Sequence, residues 1–217
     1  MLLFYHDRMH RYSLMRIVRT CADTLFPPSP DMLLVRDAGA YTLAQRIAVK
    51  TISETDTLLS FRDPLVRACV HEAKFHHNKK AIALLGNALR EYLRTSAQKS
   101  CTIIPIPLSR ARMRDRGHNQ VTSIARHVLF EDADIDICEK ILVRTRHTHP
   151  QTDLPKDKRV ENVAGAFGVH EKNVSTLRGA DIILLDDVIT TGATMNAAKA
   201  QLLPHSPGSI ICIALAH

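Results

Sequence analysis

The chain has 217 residues, of which 45% are hydrophobic and 24% charged, with 8 Gly, no Trp and a formal net charge of +7. Length and composition suit a soluble globular chain of one α/β domain, or one domain with a small appendage, and argue against Gly-rich linkers and low-complexity tracts. The positive balance suits anionic partners (phosphorylated small molecules, nucleic acid or an acidic surface) without choosing among them, and suits a plain basic solvated exterior equally well.

Met1, Leu2, Leu3 and Phe4 are followed at once by Asp7 and Arg8, so no signal-peptide core is read there and a cytoplasmic protein is expected. Residues 1–25 set Leu14, Ile17, Val18 and Cys21 on one helical stripe, which Pro27, Pro28 and Pro30 end. Residues 33–35 read as a strand, and 41–51 as a strand or a helix. Leu58, Leu59 and Phe61 close a strand. Asp63 then caps a helix whose first residue is Pro64, with Leu65, Ala68, Cys69 and Glu72 at helical spacing. A second helix is predicted over 79–95, with Ile82, Leu85, Leu89 and Leu93 on one face. A short strand over 102–106 leads into a basic loop, and a helix over 118–129 follows with Val121, Ile124, Ala125 and Val128 inward. Residues 138–143 read as a strand. Residues 144–163 read as a long polar loop, expected to be mobile and to close over a site. A buried strand over 181–185, a helix to about 203, a turn at 204–208 and a last strand over 210–215 complete the chain. Strand–helix–strand repetition of this kind implies a mainly parallel sheet. The longest apolar run, 210–216, is too short to span a bilayer. Cys21, Cys69, Cys101, Cys138 and Cys212 are odd in number and widely spaced, so free thiols are expected, with neither a disulfide framework nor a zinc ribbon.

The chemistry concentrates at 182–194. Four apolar residues, Ile182 to Leu185, deliver Asp186 and Asp187 to the carboxyl end of a strand, where α/β sheets bind ligands. Adjacent carboxylates can accept hydrogen bonds from vicinal hydroxyls such as those of a ribose. Val188, Ile189, Thr190, Thr191, Gly192, Ala193 and Thr194 then form a short loop that opens a helix, and backbone N–H groups, hydroxyls and helix dipole there suit a phosphate monoester. The blander reading is a strand followed by a capped helix with solvated acids; the two halves in register argue against it. A second element runs from Ile104-Pro105-Ile106-Pro107 through Arg110, Arg112, Arg114 and Arg116 to Gly117, His118, Asn119 and Gln120. Guanidinium forks there fit a diphosphate or nucleic-acid phosphates, although such a loop alone would read as a solvated basic surface. A third element, Arg144, Gln151, Leu154, Arg159, Asn162 and Phe167, is scattered through the long polar loop. His71, His76 and His77, and separately His147 and His149, lack the Cys or carboxylate spacing of a recognised metal motif. They read as solvated or satisfied side chains, and no protein-bound metal is assigned.

The segment 182–194 resembles the phosphoribosyl-diphosphate motif of type I phosphoribosyltransferases, departing only at Ala193, where that family often has a second Gly. The three elements in order resemble the ComF family of competence-related, amidophosphoribosyltransferase-like proteins. Phe61-Arg62-Asp63-Pro64-Leu65-Val66-Arg67 and Lys74-Phe75 extend the likeness, which covers about residues 57–217. The departures are His118, where the family has an aromatic residue, and the absence of the family's four-cysteine zinc ribbon after Leu25-Phe26-Pro27.

The resemblance implies an α/β type I phosphoribosyltransferase fold with a mainly parallel sheet of about five strands flanked by helices. Residues 1–56 would form an N-terminal helical hood segment and 57–217 the phosphoribosyltransferase-type domain. It implies phosphoribosyl diphosphate as ligand, accompanied by Mg²⁺. Asp186 and Asp187 would hold the ribose, residues 188–194 the 5-phosphate, and Arg110, Arg114 and Arg116 the pyrophosphate, with Arg159 also at the site. Two classes stay open. One is a phosphoribosyltransferase acting on an unknown acceptor. The other is a non-catalytic module in DNA uptake or processing that contacts single-stranded DNA or a DNA-processing protein. An aromatic content of 5% is thin for base stacking.

Overall fold

The computed structural model describes residues 27–96, 100–129, 134–145 and 165–217. The helical stripe predicted within 1–25 lies outside them, as do Gln151, Leu154, Arg159, Asn162 and the expected mobility of the polar loop.

The first described helix, α1, is Pro30–Asp37. The strand expected at 33–35 is therefore helical. Ser29 caps the helix, its Oγ accepting from Met32 N–H at 3.1 Å, and Pro30 is set for the first helical position. A 3₁₀ turn, Ala44–Arg46, and strand β1, Lys50–Ile52, divide the segment that reads either way in sequence. Strand β2 is Thr55–Leu59 and pairs antiparallel with β1. A domain boundary after residue 56 would cut β2.

Helix α2, Pro64–Phe75, begins as expected: Asp63 Oδ1 accepts from Leu65 N–H at 2.8 Å, and Arg46 holds the same carboxylate. Helix α3, Lys79–Thr95, is capped by Asn78 and buries Ile82, Leu85, Leu89 and Leu93. Strand β3, Ser100–Pro105, leads not into a loop but into a short helix, α4, Arg110–Arg116. Ser109 caps its start, and Gly117, at φ 72°, ends it. Arg116 is thus the last residue of this helix. Helix α5, Gln120–Val128, is capped by Asn119, whose Nδ2 also donates to the Ile106 carbonyl at 3.0 Å.

Of the strand predicted at 138–143, residues 138–141 form a bend and only Leu142 and Val143 are extended. Strand β4, Asp134–Ile137, joins the main sheet, while β5, Leu142–Arg144, pairs antiparallel with β6, Phe167–Val169, in a separate two-stranded sheet. After a 3₁₀ segment, Glu171–Leu177, come β7, Asp181–Val188; α6, Ala193–Leu202; a 3₁₀ turn, Leu203–His205; and β8, Ser209–Ala216.

The main sheet has the order β1-β2-β8-β7-β3-β4. Strands β2, β8, β7, β3 and β4 are mutually parallel, and only the edge strand β1 is antiparallel. Both faces are covered, which is why β7 and β8 are apolar without alternation. Along β7 the side chains still divide by parity. Ile183 and Leu185 join a core with α1, α2, α3 and α5, whereas Ile182 and Leu184 join one with β5, β6 and α6. Val35 and Leu43 belong to the first core, so residues 30–46 pack onto the sheet domain itself. Among the described residues no helix is long and apolar enough to cross a membrane.

Candidate functional site

The division of β7 between two faces continues into its two acids. Asp187, odd in parity like Ile183 and Leu185, meets the helices of the first core. Its Oδ2 lies 3.1 Å from Lys74 Nζ on α2 and accepts a hydrogen bond from Gln120 Nε2 on α5. Asp186 accepts the Asp187 backbone N–H at 2.9 Å and faces the charge of Arg144 on β5. The pair therefore sits at the carboxyl edge of the sheet with cations from opposite layers. Burial pushes the Asp186 carboxyl up to about 7, and the neighbouring Asp187 charge adds to the rise. The Asp187 N–H, Lys74 and Arg144 oppose it.

Both acids floor a cleft of about 1010 Å³. One side is the loop after β7. Val188, Ile189, Thr190, Gly192, Ala193 and Thr194 line it, whereas Thr191 turns its carbonyl away to accept Ser53 Oγ at 3.3 Å. Gly192 is left-handed at φ 77°, and a Cβ there would lie 2.7 Å from Ser53 Cβ on the β1–β2 turn. No side chain caps α6, leaving the start of that helix suited to an anion.

The opposite wall is α2 and α4. Because the basic segment is helical, its arginines separate by face. Arg112 and Arg116, four residues apart, line the cleft; Arg110 and Arg114 are exposed and do not. Of the three arginines expected to meet the pyrophosphate, only Arg116 is brought to the acids, while Arg112 joins it unexpected. The Arg116 guanidinium lies 5.0 Å from the Phe75 ring centroid and 3.4 Å from Gln120 Oε1. Burial lowers its pKa, an effect that the Asp187 charge offsets. Arg159 lies outside the described residues.

Lys74, Gln120 and Arg144 complete the charge pattern but are not among the residues predicted to form the site. Arg144 lies over the Phe167 ring at 5.1 Å. Sequence held a signal for each, since Lys74-Phe75, Gln120 and the Arg144–Phe167 pair all stand in the family-like segments. Their roles required knowing which side of the sheet each element covers. His118 replaces the family's aromatic residue with a polar bridge, its ring nitrogens 2.8 Å from the carbonyl oxygens of Arg116 and Ala73.

A parallel sheet with an acid pair at its edge and an uncapped, glycine-opened helix beside it is matched by the phosphoribosyl transferase domain model over residues 73–217. The chain belongs to that family. Among curated relatives it is 34% identical over 140 residues to competence protein F of Haemophilus influenzae, covering 64% of this chain and 60% of that one. It is 36% identical over 110 residues to competence protein ComFC of Bacillus subtilis, covering 48% and 39%. It is 30% identical over 152 residues to the DNA utilization protein YhgH of Escherichia coli K12, covering 68% and 64%. The chain is therefore a ComF-type member with the type I phosphoribosyltransferase fold, and it spans less than two thirds of these relatives' lengths.

Proposed function

We propose that the cleft binds phosphoribosyl diphosphate with Mg²⁺ and supports transfer of the phosphoribosyl group to an acceptor of unknown identity. The observation that carries this reading is the facing arrangement of Asp186 and Asp187, the Gly192 loop at the start of α6, and the cationic wall of Lys74, Arg112, Arg116 and Arg144. In this reading the loop takes the 5-phosphate, the acids take the ribose hydroxyls, and the cations take the pyrophosphate. The oxygen-only carboxylate pair suits a hard cation, and Mg²⁺ brought with the diphosphate would neutralise part of its charge. Lys74 and Gln120 hold Asp187 in place before ligand arrives, so little reorganisation is left for binding. Catalysis would rest on positioning and on stabilising positive charge at the anomeric carbon.

Isothermal titration of the full chain with phosphoribosyl diphosphate and Mg²⁺ tests the reading, and a saturable heat is expected. Arg116→Ala should weaken binding roughly 10- to 100-fold, the worth of one charge-assisted hydrogen bond, and Arg114→Ala should not. No heat at millimolar ligand sinks the reading.

A second reading, a non-catalytic module in DNA uptake or processing, draws on the exposed Arg110 and Arg114 on the outer face of α4 and on the competence and DNA-utilization names of the relatives. In that reading Arg110→Ala and Arg114→Ala weaken single-stranded DNA binding and flatten its salt dependence, while ligand binding in the cleft is unchanged.

A further inference from the structure

Glu72 stands on the buried stripe of α2 with Leu65, Ala68 and Cys69, its side chain 4% exposed. A carboxylate so placed needs compensation. Its Oε2 accepts Asn78 Nδ2 at 2.9 Å, and its Oε1 has only a long contact with Ser29 Oγ at 3.5 Å. Among the described residues no Lys or Arg forms an ion pair with it. Two histidines stand beside it instead: His76 Nε2 is 3.9 Å from Oε1, and His71 lies on the preceding residue of the same helix. One ligand atom from each of His71, Glu72 and His76 lies within 4.8 Å of the other two.

The geometry points to a divalent transition-metal site of the zinc class formed by His71, Glu72 and His76, at the edge of the cleft, which His71 and Asp31 also line, and sharing no ligand with the acid pair proposed to meet Mg²⁺. Two imidazole nitrogens and one carboxylate oxygen form a donor set for a borderline metal, unlike the all-oxygen surroundings Mg²⁺ prefers. Asn78 occupies Oε2 and leaves Oε1 toward the histidines. Asp31 Oδ2 lies 3.2 Å from His71 Nδ1, the carboxylate support that a metal-ligating imidazole commonly has on its second nitrogen. The cluster lies at the C-terminal end of α2, where the helix dipole favours a cation. Metal–ligand bonds of about 2.0–2.2 Å place tetrahedral donors about 3.4 Å apart, so the side chains draw in on binding. His71 and His76, about half exposed, have the freedom to do so. The ion would tie α1, through Asp31 and the Ser29 cap, to α2.

Metal-stripped, tag-free full chain titrated with Co²⁺ should develop one equivalent of saturable visible absorption without a thiolate charge-transfer band, and Zn²⁺ should displace it. Asp31→Asn should weaken binding by about 10- to 100-fold, and His76→Ala by more. Both positions are at the surface, so circular dichroism should show both variants folded. Absence of a saturable band, an unchanged affinity in His76→Ala, or a thiolate band assigning the ion to cysteines would each overturn the site. Phosphoribosyl-diphosphate titration of the metal-stripped chain reads the acid pair and the Gly192 loop, which share no ligand with the cluster, so either site can fail alone.

Discussion

Gly192→Ala tests how the loop between β7 and α6 is held. At φ 77°, an alanine costs about 1–2 kcal/mol in backbone strain alone. Its Cβ would also lie 2.7 Å from Ser53 Cβ and 3.2 Å from Ser53 Oγ, so the β1–β2 turn or the loop must shift by close to an ångström. Ser53 is itself left-handed at φ 48° and is anchored by its hydrogen bond to the Thr191 carbonyl, so the shift is resisted from both sides. A total of about 2–3 kcal/mol is expected, which in a chain of this size lowers Tm by roughly 4–12 °C. The assay is a double-mutant cycle by thermal and urea unfolding. In a Ser53→Gly background the steric part vanishes, because glycine accepts φ 48° and offers no Cβ, and only the backbone part should remain. If Gly192→Ala costs the same in both backgrounds, within about 0.5 kcal/mol, the turn does not brace the loop and the reasoning fails.

Asp186 sets a pH dependence. Its folded pKa of about 7 lies above the ordinary carboxylate value of about 3.9, so its contribution to stability is full below that value and is lost as pH rises through 7. The stability of the wild type relative to Asp186→Asn should therefore fall between about pH 4 and 7 in ligand-free protein; a pH-independent difference in Tm would contradict the assignment. Asp63→Ala removes the α2 cap and the Arg46 pair together and should cost about 1–2 kcal/mol in urea unfolding. Asp63→Asn keeps a capping oxygen and should cost less; equal losses would mean that the ion pair, not the cap, matters.

The sequence by itself determined the elements whose signals are local. Asp63-Pro64 starts α2 because a capping side chain reaches only its own first turn, and the apolar run into Asp186-Asp187 marks β7 because burial on both faces leaves no polar alternation. The Gly192 loop was legible for the same reason. Its strand, acids, glycine and helix are contiguous, so their register is written in the chain. Where the deciding partner is distant, the sequence misled. Residues 33–35 look like a strand but form the middle of α1, set by the Ser29 cap. Residues 138–143 look like one strand but are mostly the bend that carries the chain from β4 in the main sheet to β5 in the small one. The sequence singles out Arg110, Arg114 and Arg116 from the alternating arginines, but α4 winds them at a helical period, which turns Arg112 and Arg116 toward the cleft and Arg110 and Arg114 to solvent. Only the tertiary structure could bring Lys74 and Gln120, from helices 46 residues apart in the chain, onto one oxygen of Asp187. It also set Asp31 of α1 beside His71 of α2, because pairing between elements depends on how the helices pack, whereas the His76–Glu72 contact is an (i, i+4) pair that local spacing does record.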